Sequence, residues 1–303
     1  MKLPSPITEL NHPLFSENNI NVLLKRDDLI HPIISGNKWR KLKFNVEKYK
    51  ALNAKAILTF GGAYSNHIAA CAKLCSDFEI PSIGIIRGDE LNENSNETLM
   101  AASKNGMKLI FTSREEYALR EEKYYHEELR RRHGHVYIVP EGGANYYGVL
   151  GCTEIMKEVE QHVDYVFCAA GTATTVAGVL LGSNAQVKAV SALKGGSFLK
   201  DNVLLRLKEF GYAKEEISES MSNFELLDEF HFGGYAKHSS ELIEFMKDFR
   251  ETCEVELDYI YTAKMMYALF DQIKTRKIEK NSTVLAIHTG GLQGNKAIVN
   301  LLA

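Results

Sequence analysis

The chain has 303 residues, 45% of them apolar, and its 36 basic and 39 acidic side chains leave a formal net charge of −3. Such a length can bury one or two α/β cores, and the near balance of charge offers no field for nucleic acid or an anionic membrane, so a small molecule is the expected partner. Five scattered cysteines, an N-terminus without a signal-like apolar run, and no stretch near the roughly 20 apolar residues that span a bilayer argue for a reduced, cytoplasmic protein with no membrane partner. Cys71 and Cys75 would share a helix face, but no neighbouring Cys or His completes a metal site.

In chain order, the first cluster is SGNKWRKLKFN, residues 35–45. Ser35, Gly36 and Asn37 read as a turn feeding a helix whose Trp39, Leu42, Val46 and Tyr49 fall on one face. Lys38 and Lys41, three apart, lie together at that helix start. A cation there is disfavoured by the helix dipole unless an anion or an imine occupies the place, although two surface lysines would also satisfy the pattern.

From residue 55 to 140, strands predicted at Ala56–Phe60, Pro81–Ile86, Met107–Phe111 and Val136–Pro140 alternate with helices such as Asn66–Cys75 and Glu97–Asn105. This alternation is that of βαβ units and a parallel sheet. Arg130, Arg131 and Arg132 end a charged helix and read as a solvated face. The first strand runs into GGAYSNH, where Ser65, Asn66 and His67 open an amphipathic helix. Such a helix start can take a carboxylate, and simple capping explains it as well.

A glycine-rich stretch, Glu141–Gly151, marks a boundary. Beyond it, strands are expected at Tyr165–Ala169, Gln186–Ser191 and Val284–His288. The first of these leads into Gly171, Thr172, Ala173, Thr174 and Thr175, a turn whose amides and hydroxyls suit a phosphate. It is neither a P-loop nor GxGxxG, so a single phosphate group is a better guest than a dinucleotide. The last strand ends in His288, Thr289, Gly290 and Gly291, with His288 read as an ordinary hydrogen-bonded histidine.

Taken together, GNKWRKL, GGAYSNH, EGGANYYG, GTATTVAG, YTAK and HTGG occur in the order found in the D-cysteine desulfhydrase and 1-aminocyclopropane-1-carboxylate (ACC) deaminase family, and the chain resembles that family from about Leu24 to Gly291. The resemblance implies the two-domain tryptophan synthase β-like fold of pyridoxal 5′-phosphate (PLP) enzymes, fold type II, with parallel-rich sheets flanked by helices and the cofactor in the cleft. A large domain of 1–40 and 150–303, a small domain of 41–149 and a homodimer follow from it.

By the same resemblance Lys38 carries the Schiff base and Lys41 helps bind phosphate. Asn66 partners the PLP phenolic oxygen, and Gly171 to Thr175 form the phosphate site. Tyr64, Ser65, Asn66 and His67 form the substrate segment, Ser65 holding the carboxylate, and Tyr235 and Tyr261 are active-site tyrosines.

Two further positions separate the branches of the family. The ACC deaminase pattern has Glu and Leu where this chain has Thr262 and Thr289, as in the desulfhydrase branch. A neutral Thr262 facing the pyridine nitrogen offers a weaker electron sink than a carboxylate and suits a good β leaving group. The implied activity is α,β-elimination from a small D-amino acid, foremost D-cysteine, to pyruvate, hydrogen sulfide and ammonia, with Lys38 as the base at Cα. ACC deaminase activity is the enzymatic alternative, and a non-catalytic PLP-binding protein is the alternative of another class. A sugar-phosphate or nucleotide module would leave Lys38 and GGAYSNH unexplained.

The chain departs from the family pattern at four places. Tyr64 stands for glutamine, Ala173 and Thr174 for a diglycine, DYIY lacks the proline of DPxY, and the segment before Tyr235 is shortened.

Overall fold

A computed structural model describes residues 1–302. It contains ten strands among the described residues: β1 (Ile7–Leu10), β2 (Asn21–Lys25), β3 (Ala56–Gly62), β4 (Ser82–Arg87), β5 (Met107–Thr112), β6 (Val136–Val139), β7 (Tyr165–Ala170), β8 (Gln186–Ser191), β9 (Phe224–Leu227) and β10 (Thr283–Ile287). The chain divides into two compact units, residues 1–37 with 152–303 and residues 38–151.

The smaller unit is built on a four-stranded, wholly parallel sheet in the order β5-β4-β3-β6. Its strands are apolar on both faces, as helix-covered parallel strands are: every residue of β3 from Ala56 to Gly61 is buried. Helix Asn66–Asp77 packs against β3, β4 and β5 and buries Ile68, Ala70, Cys71, Leu74 and Cys75. Phe60, Tyr117, Tyr125 and Leu129 belong to a core of this unit.

The larger unit has a six-stranded sheet in the order β1-β2-β10-β7-β8-β9, in which only the edge pair β1–β2 is antiparallel. Helix Thr262–Lys274 lies on β7 and β8 and buries ten of its residues, Met265, Met266 and Leu269 among them. A single cluster links that helix with Val22, Phe167, Phe249 and Val284. Because β7 and β10 are parallel neighbours, their carboxyl ends deliver the Gly171 and Thr289 turns to the same sheet edge, where open α/β sheets bind ligands.

The strands at 56–62, 82–87, 107–112, 136–139, 165–170, 186–191 and 283–287 match the predicted ones to within two residues at their ends. β1, β2 and β9 have no counterpart among the predicted elements. Each is four or five residues long, and β2, though buried from Val22 to Lys25, is too short for its apolar run to stand out from a helix segment.

Candidate functional site

The helix Asn37–Ala51, which belongs to the smaller unit from Lys38 onward, opens with Lys38, Arg40 and Lys41 and has no acidic residue in its first turn. Arg40 is fully buried and Lys41 nearly so. Gly143, at φ +72°, lies against Lys41, and a Cβ there would come 3.0 Å from Lys41 Cβ and 3.7 Å from His67 Cε1. The EGGAN turn is tied to the lysine helix by Asn145, whose Nδ2 donates to Asn45 Oδ1 at 2.8 Å, while Asn45 donates to the Lys41 carbonyl at 2.6 Å.

Ser65 caps the helix Asn66–Asp77, its Oγ accepting from the amides of His67 and Ile68 at 3.2 and 3.3 Å. Asn66 is half-buried on the first turn, whereas Tyr64 is 75% exposed at the tip of the loop.

His67 is buried, and its hydrogen bonds define its tautomer. Thr59 Oγ1 donates to the Val139 carbonyl at 2.8 Å, so Nε2 of His67 must be the donor in its 2.8 Å contact with Thr59 Oγ1. Nδ1 then presents a lone pair, buried and without a hydrogen-bond partner among the described residues. Burial first, and then the ammonium groups of Lys38 and Lys41, pull the His67 pKa down to about 3. The smaller unit thus gathers Lys38, Lys41, a neutral acceptor on His67 and the closely packed Gly143.

In the larger unit four turns meet. Gly36, immediately before the lysine helix, is at φ +61°, and a Cβ on it would lie 1.9 Å from the Thr289 carbonyl oxygen. Only glycine can occupy that place. Asn37 donates from its backbone to Thr289 O at 3.3 Å and from Nδ2 to Thr175 Oγ1 at 3.0 Å. The residue preceding Lys38 in the chain is therefore fixed to both the threonine turn and the last glycine turn.

The threonine turn itself passes through Ala173 at φ +62°, a left-handed conformation that costs a non-glycine residue about 1 kcal/mol or more. Thr174 and Thr175 are buried at the N-terminus of helix Thr174–Leu181, and Thr172 Oγ1 lies 3.3 Å from Thr174 Oγ1. Gly171 faces Tyr261, where a Cβ would approach the ring Cε1 to 3.0 Å. The rings of Tyr261 and Tyr235 are edge to face, 6.1 Å apart at 67°.

Asp258 organises the remaining turn. Its buried carboxylate accepts from the amides of Ile260 (3.0 Å), Tyr261 (2.9 Å) and Thr262 (2.8 Å) and from the Thr262 hydroxyl (2.9 Å). Burial raises its pKa above the ordinary carboxylate value, against the pull of these donors and of His288. Gly291, at φ +105°, packs on this carboxylate. Thr262 Oγ1 also accepts from the Asp258 amide at 2.8 Å. Its hydrogen is thus committed to Asp258, and what remains of the hydroxyl is at most a lone pair. Thr289 is buried, and His288 donates from Nε2 to Glu256 O at 2.8 Å and accepts at Nδ1 from the Gly290 amide at 3.2 Å, the hydrogen-bonded state expected of it.

The structure thus brings together Gly171 to Thr175, Tyr235, Tyr261, Thr262 and Thr289 within the larger unit, and Lys38, Lys41 and His67 within the smaller. Sequence reasoning read Asn37 only as part of a turn and gave no role to Asp258 or Lys264. The spacing Asp258-x-x-x-Thr262 before a helical pattern was the available signal for a capped turn.

Comparison with known proteins follows the same residues. A family model described as "Pyridoxal-phosphate dependent enzyme" matches residues 3–290. A putative 1-aminocyclopropane-1-carboxylate deaminase of Thermotoga maritima is 30% identical over 96% of this chain and 95% of its own length. A bifunctional D-cysteine desulfhydrase/1-aminocyclopropane-1-carboxylate deaminase, mitochondrial, from Arabidopsis thaliana is also 30% identical, over 96% of this chain and 77% of its own. A crystal structure described as an ACC deaminase homologue superposes with a TM-score of 0.82 at 26% identity, covering 99% of this chain and 94% of that one.

Proposed function

The chain belongs to the pyridoxal-phosphate dependent enzymes and has their α/β fold type II; from that premise we propose that it deaminates a small D-amino acid by α,β-elimination, D-cysteine foremost. The products would be pyruvate, hydrogen sulfide and ammonia. The observation that carries this reading is the meeting of the Asn37, Thr172–Thr175, Tyr261 and Thr289 turns in the larger unit, with Lys38 the next residue along the chain from Asn37.

The residues fit the cofactor. The N-terminal amides and hydroxyls of helix Thr174–Leu181 suit a phosphate, and Gly171 leaves room that a Cβ would fill. In the smaller unit Lys41 would supply a cation, and Asn66, on its helix start, would suit the phenolic oxygen. Bound pyridoxal phosphate supplies an electron sink conjugated to the substrate Cα. Lys38 would hold the cofactor covalently, and its Nζ would take the proton from the substrate Cα. In the smaller unit the loop from Tyr64 to Ser65, with the helix start at Asn66 and His67, would receive the substrate carboxylate; in the larger, Tyr235 and Tyr261 would border the reacting carbons.

The hydroxyl of Thr262 supports elimination over ring opening, because its hydrogen serves Asp258 and no carboxylate stands at that position. A second reading, ACC deamination, is supported by the name of the Thermotoga maritima relative, while the name of the Arabidopsis thaliana relative carries both activities.

Two experiments test the proposal. Borohydride reduction and digestion should leave the pyridoxyl label on the peptide containing Lys38, and Lys38→Ala should lose label and activity together. A screen of D-cysteine, L-cysteine, β-chloro-D-alanine, D-serine and ACC should give pyruvate from D-cysteine or β-chloro-D-alanine and little 2-oxobutyrate from ACC. Efficient ACC turnover with no elimination from either D-amino acid would overturn the substrate while leaving the cofactor assignment standing.

A further inference from the structure

One buried cation in the larger unit has no part in the chemistry above. Lys264 lies on the first turn of helix Thr262–Lys274, fully buried, where both desolvation and the helix dipole oppose a positive charge. Burial pulls its pKa down to about 8, with Asp258 acting in the opposite direction, so at neutral pH it remains mostly an ammonium. Its acceptors are all backbone carbonyls: Gly234 O at 2.7 Å, His231 O at 2.8 Å and, more distantly, Ala192 O at 3.5 Å.

Two of these carbonyls belong to the loop that ends in Tyr235. That loop folds through an unusual series of left-handed residues, Phe232 at φ +49°, Gly233 at +94° and Gly234 at +115°, with Ala236 at +54° just beyond the tyrosine. A backbone of this kind holds only where its surroundings over-determine it. The ammonium provides one tie to helix Thr262–Lys274. Another is Phe232, whose ring meets Tyr267 of the same helix edge to face at 4.9 Å and 85°. Tyr261 stands at the N-terminus of that helix, one turn before Lys264.

We propose that Lys264 is a positioning residue, whose ammonium locks the His231–Gly234 backbone to the Tyr261 helix and so sets Tyr235 against Tyr261. An apolar side chain of equal length would fill the same volume but leave the two carbonyls only the donors within their own loop, Gly234 N–H to His231 O at 3.0 Å and Lys237 N–H to Gly234 O at 3.1 Å, and so cut the hydrogen-bonded tie between the left-handed loop and the helix. The inference rests on the reading above that both tyrosines border the reacting carbons.

The test uses Lys264→Met in the holoenzyme, with Tyr235→Phe alongside. Amide hydrogen exchange of peptides covering Phe230–Ala236 should quicken at least tenfold in Lys264→Met, while peptides of Thr174–Leu181 and the cofactor absorption stay as in the wild type. The elimination kcat should fall at least tenfold with KM within about twofold, because the lost element is orientation rather than binding. If Lys264→Met does not yield folded holoenzyme, Lys264→Gln, which keeps a shorter donor, should show the same changes to a smaller extent. Unchanged exchange of the loop, or an increase shared equally by the whole larger unit, would overturn the lock. Quickened loop exchange with undiminished kcat, together with full activity in Tyr235→Phe, would instead overturn the role given to Tyr235 and leave the lock standing.

Discussion

Replacing Asp258 by alanine probes the turn that carries Tyr261 and Thr262. The carboxylate receives four hydrogen bonds of 2.8–3.0 Å, three from backbone amides and one from the Thr262 hydroxyl. Taken singly, each bond to a charged acceptor is worth about 1.5–3 kcal/mol, and four would sum to roughly 6–12 kcal/mol. That sum overstates the loss, since removing the carboxylate also removes the cost of burying it, a cost visible in its raised pKa. The relevant scale is that of taking one partner from a buried charged network, about 3–5 kcal/mol. Asp258→Asn keeps one acceptor oxygen and should lose about half as much. The assay is urea unfolding of the larger unit at a fixed saturating concentration of pyridoxal phosphate, which holds the ligand contribution constant. A loss below about 1 kcal/mol for Asp258→Ala would show that the turn is held by something other than this carboxylate.

Two further outcomes are expected. His67 is neutral in the folded protein down to about pH 3, whereas an unfolded histidine takes its proton near 6.5, so the unfolded state binds more protons between these limits and stability falls as the pH falls below 6.5. At about 1.4 kcal/mol per pH unit, lowering the pH from 6.5 to 5.0 removes about 2 kcal/mol, and His67→Gln should lose that part of the dependence; equal differences between urea midpoints at pH 7.5 and 5.0 in both proteins would sink the assignment. Replacing Thr172, Thr174 and Thr175 together by alanine should weaken pyridoxal phosphate at least tenfold, at about 1.5–3 kcal/mol per charge-assisted bond, with less effect on kcat at saturating cofactor. Unchanged cofactor affinity would move the phosphate to another site.

How much of the molecule the sequence discloses depends on the range over which each signal acts. β3 and β7 are legible because a run of buried residues ends at a glycine turn, a pattern contained in about ten positions. The helix start at Ser65 is legible for the same reason, its cap lying within three residues of the amides it serves. β2 is buried from Val22 onward, yet it is held as a strand by β1 on one side and, on the other, by β10, more than 250 residues away, and nothing in NVLLK announces that second partner.

The site follows the same division, and Thr262 shows its consequence. Read from the sequence, Thr262 is a neutral hydroxyl available to a ring nitrogen. In the fold, Asp258 four residues earlier has taken its hydrogen. Introducing a glutamate there, as the deaminase pattern has, would therefore place a second carboxylate beside Asp258 and remove the hydroxyl that caps its turn. Two like charges so close in a buried place repel and raise one another's pKa. The threonine and the aspartate consequently act as a pair, and the chemistry at that position is set as much by the capped turn as by the side chain that the sequence displays.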